Sequence, residues 1–270
     1  MKPELKMIKL ADITPLMESD PARTKYFLNL IEKYRAVRNP LALGQTADND
    51  YFLLDDSALW AAEKELELEY IPAQIIPFST SLTVAGDIYV EGMNKSYLDD
   101  FCRLLPRAFM ISAEDKSGAQ YNNGIVLSVD IQDLPVMIIS FKKSGGKEIP
   151  KAFFDFWAFL KARCRLSHKY YSDDNRSGNL KKKYNNCHIR AANLTLEEIR
   201  TAVKRYYTFP SCFLKFDFGP RIMGIDYPLN ILNAGVHVDE KEKFLHELLN
   251  YRLNTGYSEY IKGDIYLLNY

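Results

Sequence analysis

The first eighty residues constrain the fold most, because they alternate short apolar strand patterns with two helical patterns. Residues 24–37 place apolar side chains at helical spacing. Asn39-Pro40 ends that pattern, since the residue before a proline disfavours the α conformation. A second helix is predicted over 58–68, after polar residues suited to a helix N-terminus. Strand patterns surround the helices at 7–13, 41–43, 51–54 and 71–76. The resulting order, β-α-β-β-α-β, predicts a small sheet covered by two helices.

The rest of the chain is predicted to form a larger mixed α/β domain, so the whole protein belongs to the α+β class. We place the boundary in the polar stretch Ser79-Thr80-Ser81, which gives domains of 1–80 and 81–270. Thr195-Leu196-Glu197-Glu198 is a capping box that begins a helix. Residues 212–227 alternate on either side of Gly219-Pro220 and predict a hairpin.

Composition excludes several classes of protein. The 270 residues include 35 basic and 35 acidic side chains, so the formal net charge is zero. This balance excludes a wholesale nucleic-acid coat and a polybasic membrane binder. Four scattered cysteines form no C-x-x-C pair, and the histidines match no zinc pattern. With no apolar leader and no run of about 18 apolar residues, we expect a cytoplasmic protein without a membrane partner.

Charge is nevertheless segregated along the chain. Residues 55–69 carry six acids and one base, whereas residues 161–190 carry nine bases and two acids. The basic tract contains Lys181, Lys182 and Lys183 with tyrosines interleaved, a composition suited to nucleic-acid phosphates and stacked bases. The tract is equally suited to supplying cations to a phosphate site. The simpler interpretation is that it is a solvated loop.

Residues 7–77 contain several short motifs whose order and spacing resemble those of the ParB N-terminal and sulfiredoxin-like superfamily. Asp20-Pro21-Ala22-Arg23 is similar to the family's Pro-x-x-Arg element, and Asn39-Pro40-Leu41-Ala42-Leu43 to its N-P-I-x-V stretch. Tyr51-Phe52-Leu53-Leu54-Asp55 resembles the strand leading into the family's D-G-x-H-R box, and Ile71-Pro72-Ala73-Gln74-Ile75 its V-P-V-x-x-I ending. The nearest resemblance is to the free serine kinases, one branch of which is associated with staphyloferrin B siderophore production. It implies phosphoryl transfer from ATP or ADP to free L-serine.

The D-G-x-H-R box is degraded in this chain. Asp55 is kept, but Asp56 stands where the family has glycine, and Ala58 and Leu59 stand where it has histidine and arginine. The family's later glycine is Glu67 here. A phosphotransferase must neutralise phosphoryl oxygens, so two direct phosphate partners have been replaced by apolar side chains.

The resemblance implies a set of candidate site residues. Glu18 lies in the loop that holds the kinases' catalytic glutamate and would accept the hydroxyl proton; Asp55 belongs to the same catalytic set. Arg23 and Ser57 would bind a phosphate or a substrate carboxylate. Asp55 and Asp56 would hold Mg²⁺, the ion expected with ATP or ADP.

Each of these residues also has a plainer interpretation. Met17 aligns better than Glu18 with the catalytic glutamate, and Glu18 would then be a solvated loop carboxylate. Arg23 would form a surface ion pair with Asp20 or another neighbour. Residues 55–57 would cap a helix and complement its dipole.

Two functions therefore remain open. The first is an amino-acid kinase that binds a nucleotide and a small amino acid. The second is a non-catalytic ParB-like regulatory protein that binds DNA or a protein partner, with residues 161–190 as the contact surface. Neither the substrate nor the oligomeric state is determined by the sequence.

Overall fold

The computed structural model describes residues 4–79, 82–104, 108–112, 124–131, 136–142, 148–167, 187–192, 194–255, 258–261 and 265–268. The protein is of the α+β class, as the sequence predicts. It divides into two compact units. The first consists of Met1–Thr83 together with Phe216–Tyr270, and the second of Val84–Lys215.

The N-terminal part of the first unit is a five-stranded sheet with two helices. Its elements are Glu4–Lys9 (β1), Ile13–Pro15 (β2), Pro21–Tyr34 (α1), Ala36–Val37 (β3), Leu41–Gln45 (β4), Tyr51–Leu53 (β5), Ser57–Glu65 (α2) and Tyr70–Pro77 (β6). The strand order is β1-β6-β4-β5-β2, with β4 parallel to β6 and β2 parallel to β5. The predicted order of elements is present with two differences. The short 3-10 turn Leu10–Asp12 divides the first strand, and Ala36–Val37, predicted as the end of the first helix, forms the additional strand β3.

The second unit is built on a seven-stranded sheet. Its elements are Thr83–Glu91 (β7), Lys95–Leu104 (α3), Ala108–Ser112 (β8), Gly124–Ile131 (β9), Met137–Lys142 (β10), Lys151–Lys161 (α4), Arg165–Ser167 (β11), Cys187–Ala192 (β12), Leu196–Lys204 (α5) and Leu214–Asp217 (β13). The strand order is β11-β7-β12-β9-β10-β8, and β13 also pairs with β7. Fully buried aromatic side chains of α4, among them Phe153 and Phe156, pack against Phe141 of β10. The predicted capping box begins α5.

The C-terminal segment returns to the first unit. Its elements are Arg221–Met223 (β14), Tyr227–Pro228 (β15), Leu229–Leu232 (α6), Val238–Asn254 (α7), Ser258–Ile261 (β16) and Ile265–Leu268 (β17). β15 pairs with β3, and Tyr227 is fully buried in the same apolar core as Leu41 and Leu43. The predicted hairpin over 212–227 is wrong, because β13 pairs with β7 and β14 runs parallel to β17.

This packing differs from the expected domain of 81–270. Residues 216–270 contribute apolar side chains to the core of the first unit, so the second unit is an insertion between two parts of the first. Local periodicity could not indicate this, because it shows which face of an element is buried but not which distant element covers it. Among the described residues, no helix is long and apolar enough to cross a membrane.

Candidate functional site

The loop before α1 is held by a helix cap and by burial. Asp20 caps α1, since its Oδ1 accepts from the backbone N–H of Ala22 at 2.8 Å and of Arg23 at 3.3 Å. Met17 is buried in the core, whereas Glu18 is only partly buried. Of the two, only Glu18 is therefore partly accessible to solvent.

The start of α2 contacts this loop directly. The Ser57 hydroxyl donates a hydrogen bond to the backbone carbonyl of Glu18 at 2.8 Å. Asp55 lies between β5 and α2, and its Oδ1 accepts the backbone N–H of Ala42 at 3.0 Å. Strand, loop and helix start are therefore joined by hydrogen bonds, which bring the predicted residues Glu18, Asp55 and Ser57 into one neighbourhood of the first unit.

Arg23 and Asp56 form an ion pair in this neighbourhood. Arg23 Nη2 lies 3.0 Å from Asp56 Oδ1, and both side chains are mostly buried. The plainer interpretation predicts a surface ion pair of Arg23 with Asp20 or a neighbour, whereas the observed pair is mostly buried and its partner lies 33 residues away. Asp20 instead uses its carboxylate as a backbone cap.

Asp56 has an unusual backbone and does not act as a conventional cap. It occupies the N-cap position of α2 with φ 50° and ψ 50°, and its side chain makes no capping hydrogen bond. Asp20, at the start of α1, has the extended backbone and the side-chain cap that are typical of an aspartate there. A left-handed conformation costs a non-glycine residue about 1–2 kcal/mol. The Asp56 carboxylate therefore binds Arg23 instead of capping α2.

The electrostatic environment favours the protonated form of Asp56. Burial raises its pKa from 3.8 to about 6, and the nearby charge of Asp55 adds to this effect. The guanidinium groups of Arg23 and Arg221 act in the opposite direction but do not outweigh the burial. The Asp56 carboxyl group can therefore change its protonation state near neutral pH, and its ion pair with Arg23 changes with it.

Arg221 is a member of the site that the sequence analysis missed. Its Nη2 lies 2.9 Å from Asp55 Oδ2 and donates to the backbone carbonyl of Pro40 at 2.5 Å. Gln74 of β6 supports the adjacent backbone, since its Oε1 accepts the N–H of Ile222 at 3.0 Å. No local motif indicates Arg221, because it enters the site only through the return of β14 to the first unit.

Glu63 of α2 is fully buried, and neither carboxylate oxygen has a hydrogen-bond partner in the part of the chain that the structure describes. Burial raises its pKa well above the ordinary value, and the charges of Asp56 and Asp55 act in the same direction. Three carboxyl groups and two guanidinium groups therefore interact around α2 and the residues before it.

The two positions where the resemblance expects glycine both have left-handed backbones. Asp56 has φ 50°, and Glu67, just after α2, has φ 55°. Glu67 N–H bonds to the carbonyl of Lys64, and Leu68 N–H to that of Glu63, which completes a Schellman motif. Ala58 and Leu59, in place of histidine and arginine, are both buried. Both positions therefore have a backbone conformation that glycine adopts easily, while the two residues after Ser57 contribute to the core.

The carboxylates of Asp55 and Asp56 are both engaged in ion pairs. Asp55 binds Arg221 and a backbone N–H, and Asp56 binds Arg23. Within the described ranges, no group of three His, Cys, Asp or Glu side chains is placed to hold a metal ion. The prediction of Mg²⁺ ligands at Asp55 and Asp56 stays a prediction. Lys181, Lys182 and Lys183 lie outside the described residues.

The second unit contains a separate polar cluster that the sequence did not indicate. Asp87 pairs with both His188 and Lys215, which come from the two strands on either side of β7. The rings of His188 and Tyr89 stack at 4.3 Å between centroids. Hydrogen bonds from Lys215 and His188 hold the pKa of Asp87 below its usual value despite partial burial.

Comparisons with known proteins define the class of fold. No protein-family model matches the chain, and no curated protein sequence matches it. Among solved structures, the chain shares its α+β fold with proteins that include a free serine kinase.

Three of these structures give the extent of the likeness. The structure described as SbnI with C-terminal truncation from Staphylococcus aureus has a TM-score of 0.65 at 15% identity, covering 92% of this chain and 97% of that one. A free serine kinase mutant in complex with AMP has a TM-score of 0.62 at 15% identity, covering 86% and 95%. A conserved hypothetical protein from Pyrococcus furiosus has a TM-score of 0.60 at 15% identity, covering 86% and 98%.

Proposed function

We propose that this protein is a nucleotide-binding relative of the free serine kinases that transfers a phosphoryl group from ATP or ADP to an amino-acid hydroxyl. The observation that carries the proposal is the convergence of the Glu18 loop, the start of α2 and Arg23 at one place in the first unit. Support for the nucleotide comes from fold neighbours in complex with AMP or ADP. The proposal retains membership of the ParB and sulfiredoxin-like superfamily, with a degraded box.

The proposed residues have distinct roles in the transfer. Glu18 accepts the proton of the hydroxyl, whose oxygen forms a new bond to the transferred phosphorus. The bond between that phosphorus and the bridging oxygen of the nucleotide breaks, which leaves AMP from ADP or ADP from ATP. Arg23 binds phosphate or substrate carboxylate oxygens, and Ser57 keeps the Glu18 loop against α2. Asp55 is the remaining member of the catalytic set, and Mg²⁺ would enter with the nucleotide phosphates.

The activity is tested by phosphorus NMR of the full chain incubated with Mg²⁺, L-serine and either ATP or ADP. We expect a phosphoserine signal, and Glu18→Gln should reduce its rate of formation by about 100-fold or more, the size typical of a lost general base. Glu32→Gln is the matched control, because Glu32 is an exposed carboxylate of the neighbouring α1. No phosphoserine, together with no nucleotide-induced thermal shift, would refute the kinase function.

A second function has a specific observation in its favour. Ala58 and Leu59 are buried, so the cations of the family box are replaced by core-facing side chains. This favours a non-catalytic regulatory protein on the same scaffold, binding DNA or a partner through residues 161–190. An electrophoretic shift with the promoter DNA of its own gene should weaken steeply with salt. The shift should also be lost when Lys181→Ala, Lys182→Ala and Lys183→Ala are combined. A shift that is absent, or that does not change with salt concentration, would contradict DNA binding.

A further inference from the structure

Three sulfur-containing side chains of the second unit gather at one end of β7. Gly92 follows β7 with φ 76°, and Met93, which comes next, is buried. The thioether sulfur of Met93 lies 4.0 Å from the thiol sulfur of Cys164, the residue before β11. Cys187, the first residue of β12, is also buried, and neither cysteine forms a disulfide. The cluster therefore offers two thiols and one thioether.

The strand register brings the two cysteines to β7 from opposite sides. β11 and β12 both pair with β7, so each lies about 4.8 Å from it. Arg165, which follows Cys164, lies opposite Glu91. Cys187 lies opposite Val90, the residue before Glu91. Burial raises the pKa of the Cys187 thiol, and the charge of Cys164 adds to this effect, as expected of neighbouring groups. The two thiols are therefore close enough to share one ligand.

The donor atoms and their spacing suit a soft monovalent metal ion. Thiolate and thioether sulfurs select Cu(I), whereas Zn²⁺ prefers cysteine and histidine without methionine, and Mg²⁺ prefers oxygen. Two sulfurs that each lie about 2.3 Å from one ion in a trigonal arrangement are about 4.0 Å apart. Met93 and Cys164 have this separation. In the part of the chain that the structure describes, no three His, Cys, Asp or Glu side chains are placed to hold a metal ion, so the thioether is needed to complete the set.

We propose that Met93, Cys164 and Cys187 form a Cu(I) site in the second unit. The site goes beyond the proposed function, since none of its ligands takes part in the proposed phosphoryl transfer. Cys164 is only partly buried, so it receives the ion from solvent, and the two buried side chains complete the trigonal set. Each thiol that binds the ion releases its proton. Copper keeps its oxidation state, so the step needs neither an oxidant nor a reductant.

The test is a competition in which the reduced full chain, without oxygen, withdraws Cu(I) from its coloured complex with bicinchoninate. We expect one equivalent of copper to move to each chain. Loss of a residue that merely supports a metal ligand typically weakens metal affinity by about 10–100-fold, so Cys164→Ser and Cys187→Ala should each weaken it by about 100-fold or more. Cys212→Ser is the matched control, because Cys212 is a partly buried cysteine that contacts Ser211, and it should bind copper as the wild type does.

Selenomethionine labelling identifies the thioether ligand directly. X-ray absorption at the copper edge of the labelled, copper-loaded protein should show a Cu–Se bond. Met93→Leu should remove that bond, although the other methionines of the chain are still labelled. Leucine conserves the volume of the methionine side chain, so this variant should fold.

Three results would overturn the inference. The first is that the protein, even in excess, withdraws no copper from bicinchoninate. The second is that Cys164→Ser and Cys187→Ala withdraw it as well as the wild type does, because the copper would then lie elsewhere. The third is bound copper without a Cu–Se bond, because the ligand set would then lack Met93. None of these results bears on nucleotide binding, which the nucleotide-induced thermal shift measures separately.

Discussion

Replacing Glu63 by leucine should stabilise the first unit, and the structure gives both the sign and the size of the effect. Glu63 is fully buried with neither carboxylate oxygen hydrogen-bonded to another described residue. A buried polar group without a partner costs about 1–3 kcal/mol, and a buried leucine adds about 1.5–3 kcal/mol of apolar burial. Leucine gains only part of the second amount, because the methylene groups of Glu63 are already buried. We therefore expect Glu63→Leu to raise the free energy of unfolding by about 2–4 kcal/mol at pH 7.

The same residue predicts how stability depends on pH. Its pKa is raised in the folded protein, mainly by burial, so the folded state binds the proton more tightly than the unfolded chain. The stabilisation is fully present below the unfolded pKa of Glu63 and is lost as the pH rises through the folded value. Stability should fall by up to about 1.4 kcal/mol per pH unit in that window. Asp56 contributes with the same sign up to its pKa of about 6, so the part of the decline that a Glu63 variant removes is the part due to Glu63.

The assay is urea unfolding between pH 6 and pH 7.5, followed by tryptophan fluorescence. The chain has two tryptophans, Trp60 in α2 and Trp157 in α4, so a Trp157→Phe background makes Trp60 a reporter of the first unit alone. Glu63→Leu and Glu63→Gln should both remove the pH dependence, and only leucine should give the full gain in stability. Glu65→Gln, which neutralises an exposed carboxylate on the same helix, is the control. A pH dependence that persists in Glu63→Leu would refute the reasoning.

Three further predictions follow from the described contacts. Glu67→Gly should stabilise the first unit by about 0.5–1 kcal/mol, because the relief of the left-handed backbone outweighs the greater conformational entropy of glycine in the unfolded chain. Thermal unfolding measures this gain, and the control Lys64→Gly, in the helical part of α2, should show none. Arg221→Ala should lower the free energy of unfolding by about 2–3 kcal/mol, since it leaves Asp55 without its cationic partner. Urea unfolding measures the change, and an unchanged midpoint concentration of urea would contradict the prediction. Thr195→Ala should destabilise the second unit by about 1 kcal/mol through loss of the capping box; Trp157 fluorescence measures the change, and Thr195→Ser should restore most of it.

Local sequence signals predicted the elements well where structure depends on neighbouring residues. Helical spacing predicted α1, and the capping box predicted the start of α5. The sequence predicts the start of α2 one residue late, because aspartate and serine are both common cap residues. The side chain of Asp56 instead binds Arg23, and Ser57 is the first helical residue.

Long-range pairing was beyond the reach of these signals. The alternating pattern over 212–227 is that of strands, but periodicity does not identify the partner strand. Both sides of Gly219-Pro220 pair with distant strands, and the second of them brings Arg221 to Asp55. The sequence therefore predicts the candidate residues that lie before residue 60. Arg221 could be identified only from the fold.

The insertion of the second unit has a consequence for the order in which a ribosome-bound chain matures. Val84–Lys215 is contiguous, so it emerges and can fold while the first unit still lacks part of its core. The earlier-synthesised sheet waits for β15 and α7 to cover it. Asp55 likewise waits for Arg221, so the candidate site is assembled only after the second unit has been synthesised. The sheet that is translated before the second unit is thus completed after it.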